Sequence, residues 1–322
     1  MLSVGFYIKW DKGSLHSKGN VLGDELIAET MAKYLRRQPG VSGAEVYTPN
    51  FLPQEKLDVM IYLNDTPPIS EIAKKHILYL QNGYGVGAQE LLKELRSHSY
   101  DGYVFFSNYL LKLHQADGFN GLFLPFGVDL EVFYPREVDE KLEFEVAYIG
   151  NDIKGEERTV KYLYPAVDFN FGLYGNWEIQ KSRFKFWKNF KKHHPYKHKF
   201  QEISRKKIPQ ELVPSLYSST KINLNCTIQA CVDWDVITLR TLEVLACKGF
   251  LITDSVPVAE ELLRDCVVFT TGGADLTEKI KFYLKYDDQR KTIADRGYEF
   301  VINNASAEVR TKELLNYIQE VI

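Results

Sequence analysis

The chain has 322 residues, of which 45% are hydrophobic, and it carries 40 Lys and Arg residues against 43 Asp and Glu residues. This hydrophobic fraction is too high, and the net charge of −3 too small, for a disordered chain, and the length suits about two globular domains. The sequence contains neither a run of about 20 apolar residues, as a bilayer-spanning helix requires, nor a signal peptide, which predicts a cytoplasmic protein.

The first half of the chain alternates short β-rich runs with helical patterns. Strands are predicted at SVGFYI, AEVYT, LDVMIYL, HILYLQ, GYVFFS and GLFLP. Helices are predicted at GDELIAETMAKYLRR, ISEIAKK, AQELLKELRS and NYLLKLHQ. This alternation is typical of a parallel sheet covered by helices. Residues 125–144 then bring prolines, a glycine and charges without periodicity, which indicates a linker between two domains.

The second half repeats the same alternation. Strands are predicted at EVAYIG, FNFGLYG, TKINLN, GFLITD and CVVFTT, and helices at GEERTVKYLYP, PQELVPSLYSS, TLRTLEVLACK and VAEELLR. Three more helical stretches follow, near residues 274–285, 287–302 and 306–321. We therefore predict an α/β protein of two Rossmann-like domains, residues 1–138 and 139–305, that face a central cleft. The ends of the parallel strands would place the ligands in that cleft.

Residues 181–207 depart from the balanced charge of the chain. They contain eleven Lys and Arg residues, one acidic residue, Glu202, and several interleaved aromatic residues. Such a segment can bind an anionic acceptor or lie peripherally on the anionic inner face of a membrane. The alternative interpretation is a solvated helix and loop whose aromatic side chains pack inward. Nucleic acid is disfavoured as a partner, because the rest of the chain is acidic and would repel phosphate.

The stretch over residues 220–261 has the pattern of an anion-binding site. A strand is followed by a loop with Asp235, by a helix that begins just before Arg240, and by a second strand. The N-terminus of a helix after a strand offers free N–H groups and a positive dipole end, which suit a diphosphate. Arg240 and Thr241 would add a guanidinium and a hydroxyl in the first turn, and Glu243 can accept hydrogen bonds from a ribose.

Several motifs in this order resemble a known family. The segments LPFGVDLEVFYP, VAYIGN, GLYGNW, VPSLYSSTKINLN and LRTLEVLACKGFLITD, followed by VAEELL, resemble GT-B glycosyltransferases and, within them, the spore-maturation CgeB-like group. The resemblance covers residues 124–300, and the first domain only by architecture. It implies a GT-B fold, a nucleotide-sugar donor of UDP or GDP type bound by the second domain without another cofactor, and a last helix over residues 306–322 that crosses back to the first domain.

The resemblance also assigns roles to single residues. It places five residues on the donor: Gly150, Asn151, Arg240, Thr241 and Glu243. Asp235 stands eight residues before Glu243, where many retaining relatives have Glu in an E-x7-E segment, so the donor-sugar contact and the retaining course stay open. The alternative for Asp235 is the N-cap of the following helix. Lys207, at the end of the basic segment, would neutralise the leaving diphosphate or else lie on the surface.

The first domain is expected to hold the acceptor and, in an inverting enzyme, the general base. Its first strand is followed by KWDKGSLHSKGNVLGDELIAE, a loop rich in Gly, Ser, Lys and His that leads into a helix. Asp11, His16 and Asp24 are the candidate proton acceptors. Asp24 is equally suited to the first turn of the helix, where an acidic side chain complements the dipole. The acceptor itself, whether a glycan, a lipid-linked sugar or a protein, is not identified by the sequence.

The sequence favours transfer without a metal. The only Asp-x-Asp in a donor-like setting, residues 233–235, directly precedes a helix N-terminus that can itself bind phosphate. Two alternative functions remain. GNVLGDELI resembles the G-N-x-G-D-E start of polysaccharide pyruvyl transferases, although Leu22 interrupts the match. The second alternative is a non-catalytic protein that binds a nucleotide or a sugar on the same scaffold.

Overall fold

The computed structural model describes residues 1–12, 23–81, 87–179 and 194–322. The chain divides into two compact units. The first unit comprises Met1–Asp129, Trp234–Val236 and Asn304–Ile322, and the second comprises Leu130–Asp233 and Ile237–Asn303. The boundary between Asp129 and Leu130 therefore lies inside the segment over residues 125–144.

The first unit is built on a six-stranded sheet in the order β2-β1-β3-β4-β5-β6, in which each pair of neighbours is parallel. Its strands are β1 (Leu2–Tyr7), β2 (Val41–Tyr47), β3 (Leu57–Tyr62), β4 (Ala73–Leu80), β5 (Gly102–Phe105) and β6 (Leu122–Phe123). Its helices are α1 (Gly23–Leu35), α2 (Ala88–Ser97), α3 (Asn108–Ala116) and α12 (Ala307–Val321). The inner strands are nearly uniformly apolar because helices and loops bury both faces of a parallel sheet.

One predicted helix of this unit is wrong. The sequence ISEIAKK was expected to form a helix, but its last residues begin β4, where Ala73 and Lys75 pair with Leu57 and Val59 of β3. A helix of seven residues gains few internal hydrogen bonds for the cost of its first turn, whereas the extended conformation pairs each residue with a neighbouring strand.

The last helix, α12, completes the first unit. Ser306 caps it by accepting a hydrogen bond from the Val309 N–H, and the Thr311 side chain packs against Met31 of α1, with 3.6 Å between Oγ1 and Sδ. Val128 and Ser306 form a parallel bridge beside the start of this helix. The C-terminal residues are therefore part of the core of the first unit.

The second unit is built on a five-stranded parallel sheet in the order β11-β10-β9-β7-β8. Its strands are β7 (Val146–Ile149), β8 (Phe171–Tyr174), β9 (Ile222–Asn225), β10 (Leu251–Asp254) and β11 (Val268–Thr270). Its helices are α4 (Glu156–Tyr162), α5 (Pro195–Ile203), α6 (Val213–Ser219), α7 (Gln229–Asp233), α8 (Leu239–Ala246), α9 (Pro257–Leu262), α10 (Ala274–Lys285) and α11 (Asp287–Phe300). The core lies on both sides of the sheet and includes Tyr148, Leu173, Phe200 and Ile252.

Two further features follow from the described part of the chain. All four cysteines are buried, and none of them forms a disulfide bond. Among the described residues, none of the helices combines the length and the apolar character that crossing a membrane would require.

Candidate functional site

The strand order of the second unit marks one place as a binding site. The chain runs from β7 outward to β8 and then returns to the other side of β7 to form β9. Open parallel sheets bind ligands where the strand order reverses, at the carboxyl ends of the strands. In this unit that place lies after β7 and β9, next to the beginning of α8.

Gly150 and Asn151 follow β7 directly and hold its loop against the loop after β8. The Gly150 N–H donates to the Tyr174 carbonyl at 2.9 Å, and the Asn176 N–H donates to Asn151 Oδ1 at 2.8 Å. Gly175 adopts a φ of +125°, and a Cβ there would collide with the Gly150 carbonyl. Gly175 is needed at this crossing because the positive φ and the close approach of the two backbones leave no room for a side chain there.

Arg240 lies in the first turn of α8 and is half-buried. Its Nη1 donates to Asn225 Oδ1 at 3.2 Å, and its Cζ lies 5.2 Å from the centre of the Tyr148 ring. Thr238 is the N-cap residue of α8 but makes no capping hydrogen bond through its side chain. The first turn therefore offers both a guanidinium and N–H groups to an anion.

Lys154 is a second cation at this site, and it belongs to none of the sequence motifs described above. It lies between β7 and α4 and is half-buried. Burial and, next, the charge of Arg240 lower its pKa from 10.5 to about 8. Among the described residues it has no partner in an ion pair. Two cations that repel one another in a partly buried place form a site that an anion would neutralise. The one sequence signal was a lysine in the loop that follows Gly150.

Glu243 follows one turn later in α8 and is also half-buried. Burial raises its pKa from 4.5 to about 7, against the opposing charge of Arg240. Burial and the charge of Glu243 raise the pKa of Tyr217. The carboxyl group is thus close to half-protonated at neutral pH and can accept or donate a hydrogen bond.

Two other predicted site residues, Thr241 and Asp235, differ from Arg240 in burial or in the unit to which they belong. The Thr241 side chain is only 4% exposed, and its hydroxyl shares a hydrogen bond of 3.2 Å with that of Thr238. Asp235 has a φ of +55° and belongs to the first unit. The alternative of Asp235 as the N-cap is wrong, because Thr238 occupies the N-cap position.

Lys207 is exposed and lines a cavity of ≈ 330 Å³ in the second unit. The other residues of this cavity include Gly175, Trp177, Gln201, Ser204 and Lys206. The segment that carries Lys206 runs beside β8, since the Gly175 N–H donates to the Lys206 carbonyl at 2.7 Å. A second cavity of ≈ 480 Å³ is lined by Asn151, Asp152, Asn176 and Lys197, among others. Both cavities therefore adjoin the loops after β7 and β8.

In the first unit, Asp24 lies in the first turn of α1 and contacts the loop that follows β3. The Asn64 amide donates to Asp24 Oδ2 at 2.9 Å, and its own oxygen accepts from the Lys9 N–H at 3.2 Å. Asn64 is fully buried and therefore fixes the orientation of this carboxylate. His16 lies outside the described residues.

In the described ranges, no group of three or more His, Cys, Asp or Glu side chains is placed to hold a metal ion. Transfer without a metal stays a prediction.

Comparison with protein families finds one match. Residues 158–316, just under half of the chain, match the family model described as glycosyl transferase-like. A search of curated proteins finds no match. The narrower resemblance to the CgeB-like group stays a prediction.

Solved structures of similar fold cover nearly the whole chain. Sucrose-phosphate synthase from Thermosynechococcus elongatus has a TM-score of 0.66 at 12% identity, over 100% of this chain and 99% of its own. Anabaena HepE, in complex with UDP-glucose, has a TM-score of 0.67 at 11% identity, over 99% and 100%. T4 phage BGT, in complex with its UDP-glucose substrate, has a TM-score of 0.61 at 15% identity, over 100% of this chain and 99% of its own. At these identities the likeness establishes the fold, and it confirms the predicted α/β architecture of GT-B type.

Proposed function

We propose that this protein, a glycosyltransferase by its GT-B fold and by the family match of residues 158–316, transfers a sugar from a nucleoside-diphosphate donor to an acceptor hydroxyl. The observation that carries the proposal is the pair of cations, Lys154 and Arg240, at the carboxyl end of β7 and the first turn of α8. A diphosphate is the anion that two adjacent cations and a helix N-terminus suit best.

Sugar transfer requires the positive charges of Lys154 and Arg240 at this place. When the bond between the anomeric carbon and the phosphate oxygen breaks, negative charge grows on the leaving nucleoside diphosphate. Arg240, Lys154 and the dipole of α8 would stabilise that charge without reorganisation, which is the most effective form of electrostatic catalysis. Glu243 would accept a hydrogen bond from the donor ribose, and Gly150 and Asn151 would border the phosphates. Thr241, whose hydroxyl is buried, would support the helix start.

UDP is the first nucleotide to test. Two proteins of similar fold, Anabaena HepE and T4 phage BGT, are solved with UDP-glucose. The ≈ 330 Å³ cavity beside β8 has room for a nucleobase, and Lys207 lies on its wall. GDP is the second candidate.

The acceptor side is proposed to belong to the first unit. Asp24, held by Asn64, is oriented as a general base should be, and His16 is a second candidate for that role, whereas Asp235 stays a candidate for the contact with the donor sugar. The basic residues between 181 and 207 would draw the protein to an anionic acceptor or membrane surface. Of this segment the structure describes residues 194–207, in which Lys197 pairs with Asp152.

The proposal is tested by titration calorimetry of the native protein with UDP, GDP and phosphoenolpyruvate. Binding of one nucleoside diphosphate, weakened at least tenfold in Lys154→Met and Arg240→Ala, supports it, since each variant loses a charge-assisted contact. Lys281→Met is the matched control because Lys281 is exposed on α10. Binding of phosphoenolpyruvate alone would instead favour the pyruvyl transferase.

Turnover separates the enzyme from a binding protein. UDP-glucose, incubated with the native protein and a panel of glycan acceptors, should release UDP faster than with Arg240→Ala. Nucleotide binding without any turnover across donors and acceptors would favour the non-catalytic alternative.

A further inference from the structure

Arg240 is the first member of a buried chain of hydrogen bonds. Its Nη1 donates to Asn225 Oδ1 at 3.2 Å, and Asn225, at the end of β9, is only 3% exposed. The Asn225 Nδ2 in turn donates to Thr253 Oγ1 at 3.1 Å and to Thr227 Oγ1 at 3.3 Å. Both ends of the amide are therefore engaged, the oxygen by the guanidinium and the nitrogen by two hydroxyls.

The chain ends at a buried carboxylate. Asp254, 1% exposed at the end of β10, accepts from Thr227 Oγ1 and from the Thr227 N–H, each at 3.0 Å. Arg158 of α4 forms an ion pair with Asp254 and donates through Nε to the Thr227 carbonyl at 2.7 Å. The buried charge of Asp254 is thus compensated, as a buried carboxylate requires.

The carboxylate fixes the direction of every bond in the chain. The Asp254 carboxylate can only accept hydrogen bonds. The Thr227 hydroxyl therefore donates its hydrogen bond to Asp254, and its oxygen accepts the one from Asn225. The Asn225 amide must therefore turn its nitrogen to the hydroxyls and its oxygen to Arg240. If the amide were flipped, its N–H groups would face the N–H groups of the Arg240 guanidinium and would find no acceptor there.

We propose that Asn225 is a positioning residue for Arg240, and that the chain through Thr227 and Asp254 to Arg158 holds the guanidinium where the donor diphosphate needs it. This inference rests on the proposed function. Glu243, on the same helix, competes with Asn225 for the guanidinium, since the charge of Arg240 lowers the Glu243 pKa against the effect of burial. Without Asn225 the guanidinium would turn toward that carboxylate and away from the phosphates.

The amide of Asn225 carries no charge, and this explains why Asn and not Asp stands at position 225. An Asp at 225 would also accept from Arg240, but it would cancel the charge that the diphosphate must meet and would place a second carboxylate near Asp254. An amide orients the guanidinium and leaves its charge available. Asn225→Asp is therefore expected to weaken UDP binding more than Asn225→Ala does.

A double-mutant cycle with UDP and uridine tests this role. In Asn225→Ala we expect roughly tenfold weaker UDP binding, the value of about one hydrogen bond to a charged group, and unchanged uridine binding. In the Arg240→Ala background the same substitution should have no further effect, because Asn225 acts through Arg240. Calorimetric titration gives all four affinities.

Asn223 provides the matched control. It lies two residues earlier in β9, is 2% exposed, and donates to the Tyr217 carbonyl at 3.1 Å, with no hydrogen bond to Arg240. Asn223→Ala should cost similar stability and leave the ratio of UDP to uridine affinity unchanged. If Asn225→Ala does not fold, Thr253→Val takes its place and should lower UDP affinity two- to threefold, again only while Arg240 is present.

Three results would overturn the inference. They are equal losses of UDP and uridine binding in Asn225→Ala, additive effects of the substitutions at 225 and 240, and an Asn225→Asp variant that binds UDP as well as the native protein. If the native protein binds no nucleoside diphosphate, the proposed function fails and this inference with it. Native binding that Arg240→Ala weakens, together with any of the three results, overturns this inference alone.

Discussion

Nucleotide binding by this protein should depend on pH through Lys154. Its pKa in the free protein is about 8, because burial and the neighbouring Arg240 disfavour its charged form. A diphosphate beside the ammonium group favours the charged form and raises this pKa. Binding therefore takes up a proton above pH 8, and affinity falls as pH rises.

The size of the effect follows from the pKa. A lysine with a pKa of about 8 is about nine-tenths charged at pH 7 and about one-tenth charged at pH 9. UDP affinity should therefore fall roughly tenfold between pH 7 and pH 9, which corresponds to about 1.4 kcal/mol. Glu243, with a pKa of about 7, is mostly ionised by pH 8 and contributes chiefly below that value.

Calorimetric titration at pH 7, 8 and 9 and constant ionic strength measures this dependence. Repeating it in two buffers of different ionisation enthalpy gives the number of protons taken up. Lys154→Arg keeps its charge throughout this range and should bind UDP with an affinity that no longer falls above pH 8. Lys154→Met should bind more weakly at pH 7 and equally lack the fall above pH 8.

Two results would refute this reasoning. The first is a native affinity that stays constant from pH 7 to pH 9. The second is a Lys154→Met variant that retains the native dependence above pH 8, since the titrating group would then be another residue. The first result would mean that Lys154 keeps one charge state throughout this range or does not contact the phosphates, and the second would assign the pH dependence to another group.

Three further predictions concern stability and catalysis. Burial raises the pKa of Glu243 in the folded protein from 4.5 to about 7, so the free energy of unfolding should fall as pH rises through this range, by about 3 kcal/mol at most. Glu243→Gln should remove this pH dependence, which urea unfolding at pH 5 and pH 8 measures. Gly175→Ala should cost about 3 kcal/mol in the same assay, against about 1 kcal/mol for Gly118→Ala, which has a positive φ but open space around it. Asp24→Asn should lower kcat about a hundredfold or more and leave UDP affinity unchanged, and a normal kcat would exclude Asp24 as the base.

Much of the fold could be predicted from local patterns. Short apolar runs that alternate with amphipathic stretches predict parallel strands and helices, since each pattern reflects which faces of one element are buried. The helix that begins before Arg240 was predicted on the same basis, and the structure starts α8 at Leu239. The local order strand, loop and helix N-terminus was sufficient to select Arg240 and Glu243.

Other features depended on residues far apart in the chain. Residues 73–75 pair with β3 because that strand is adjacent, which their own sequence does not reveal. Arg158 and Asp254 are 96 residues apart, and no local pattern predicts that they meet. Lys154 was not selected because its lowered pKa arises from burial and from Arg240. The sequence by itself determined most of the elements, and it predicted that a ligand would bind at the carboxyl ends of the parallel strands. Only the tertiary structure decided which charges meet there, because strand order and side-chain convergence arise from long-range packing.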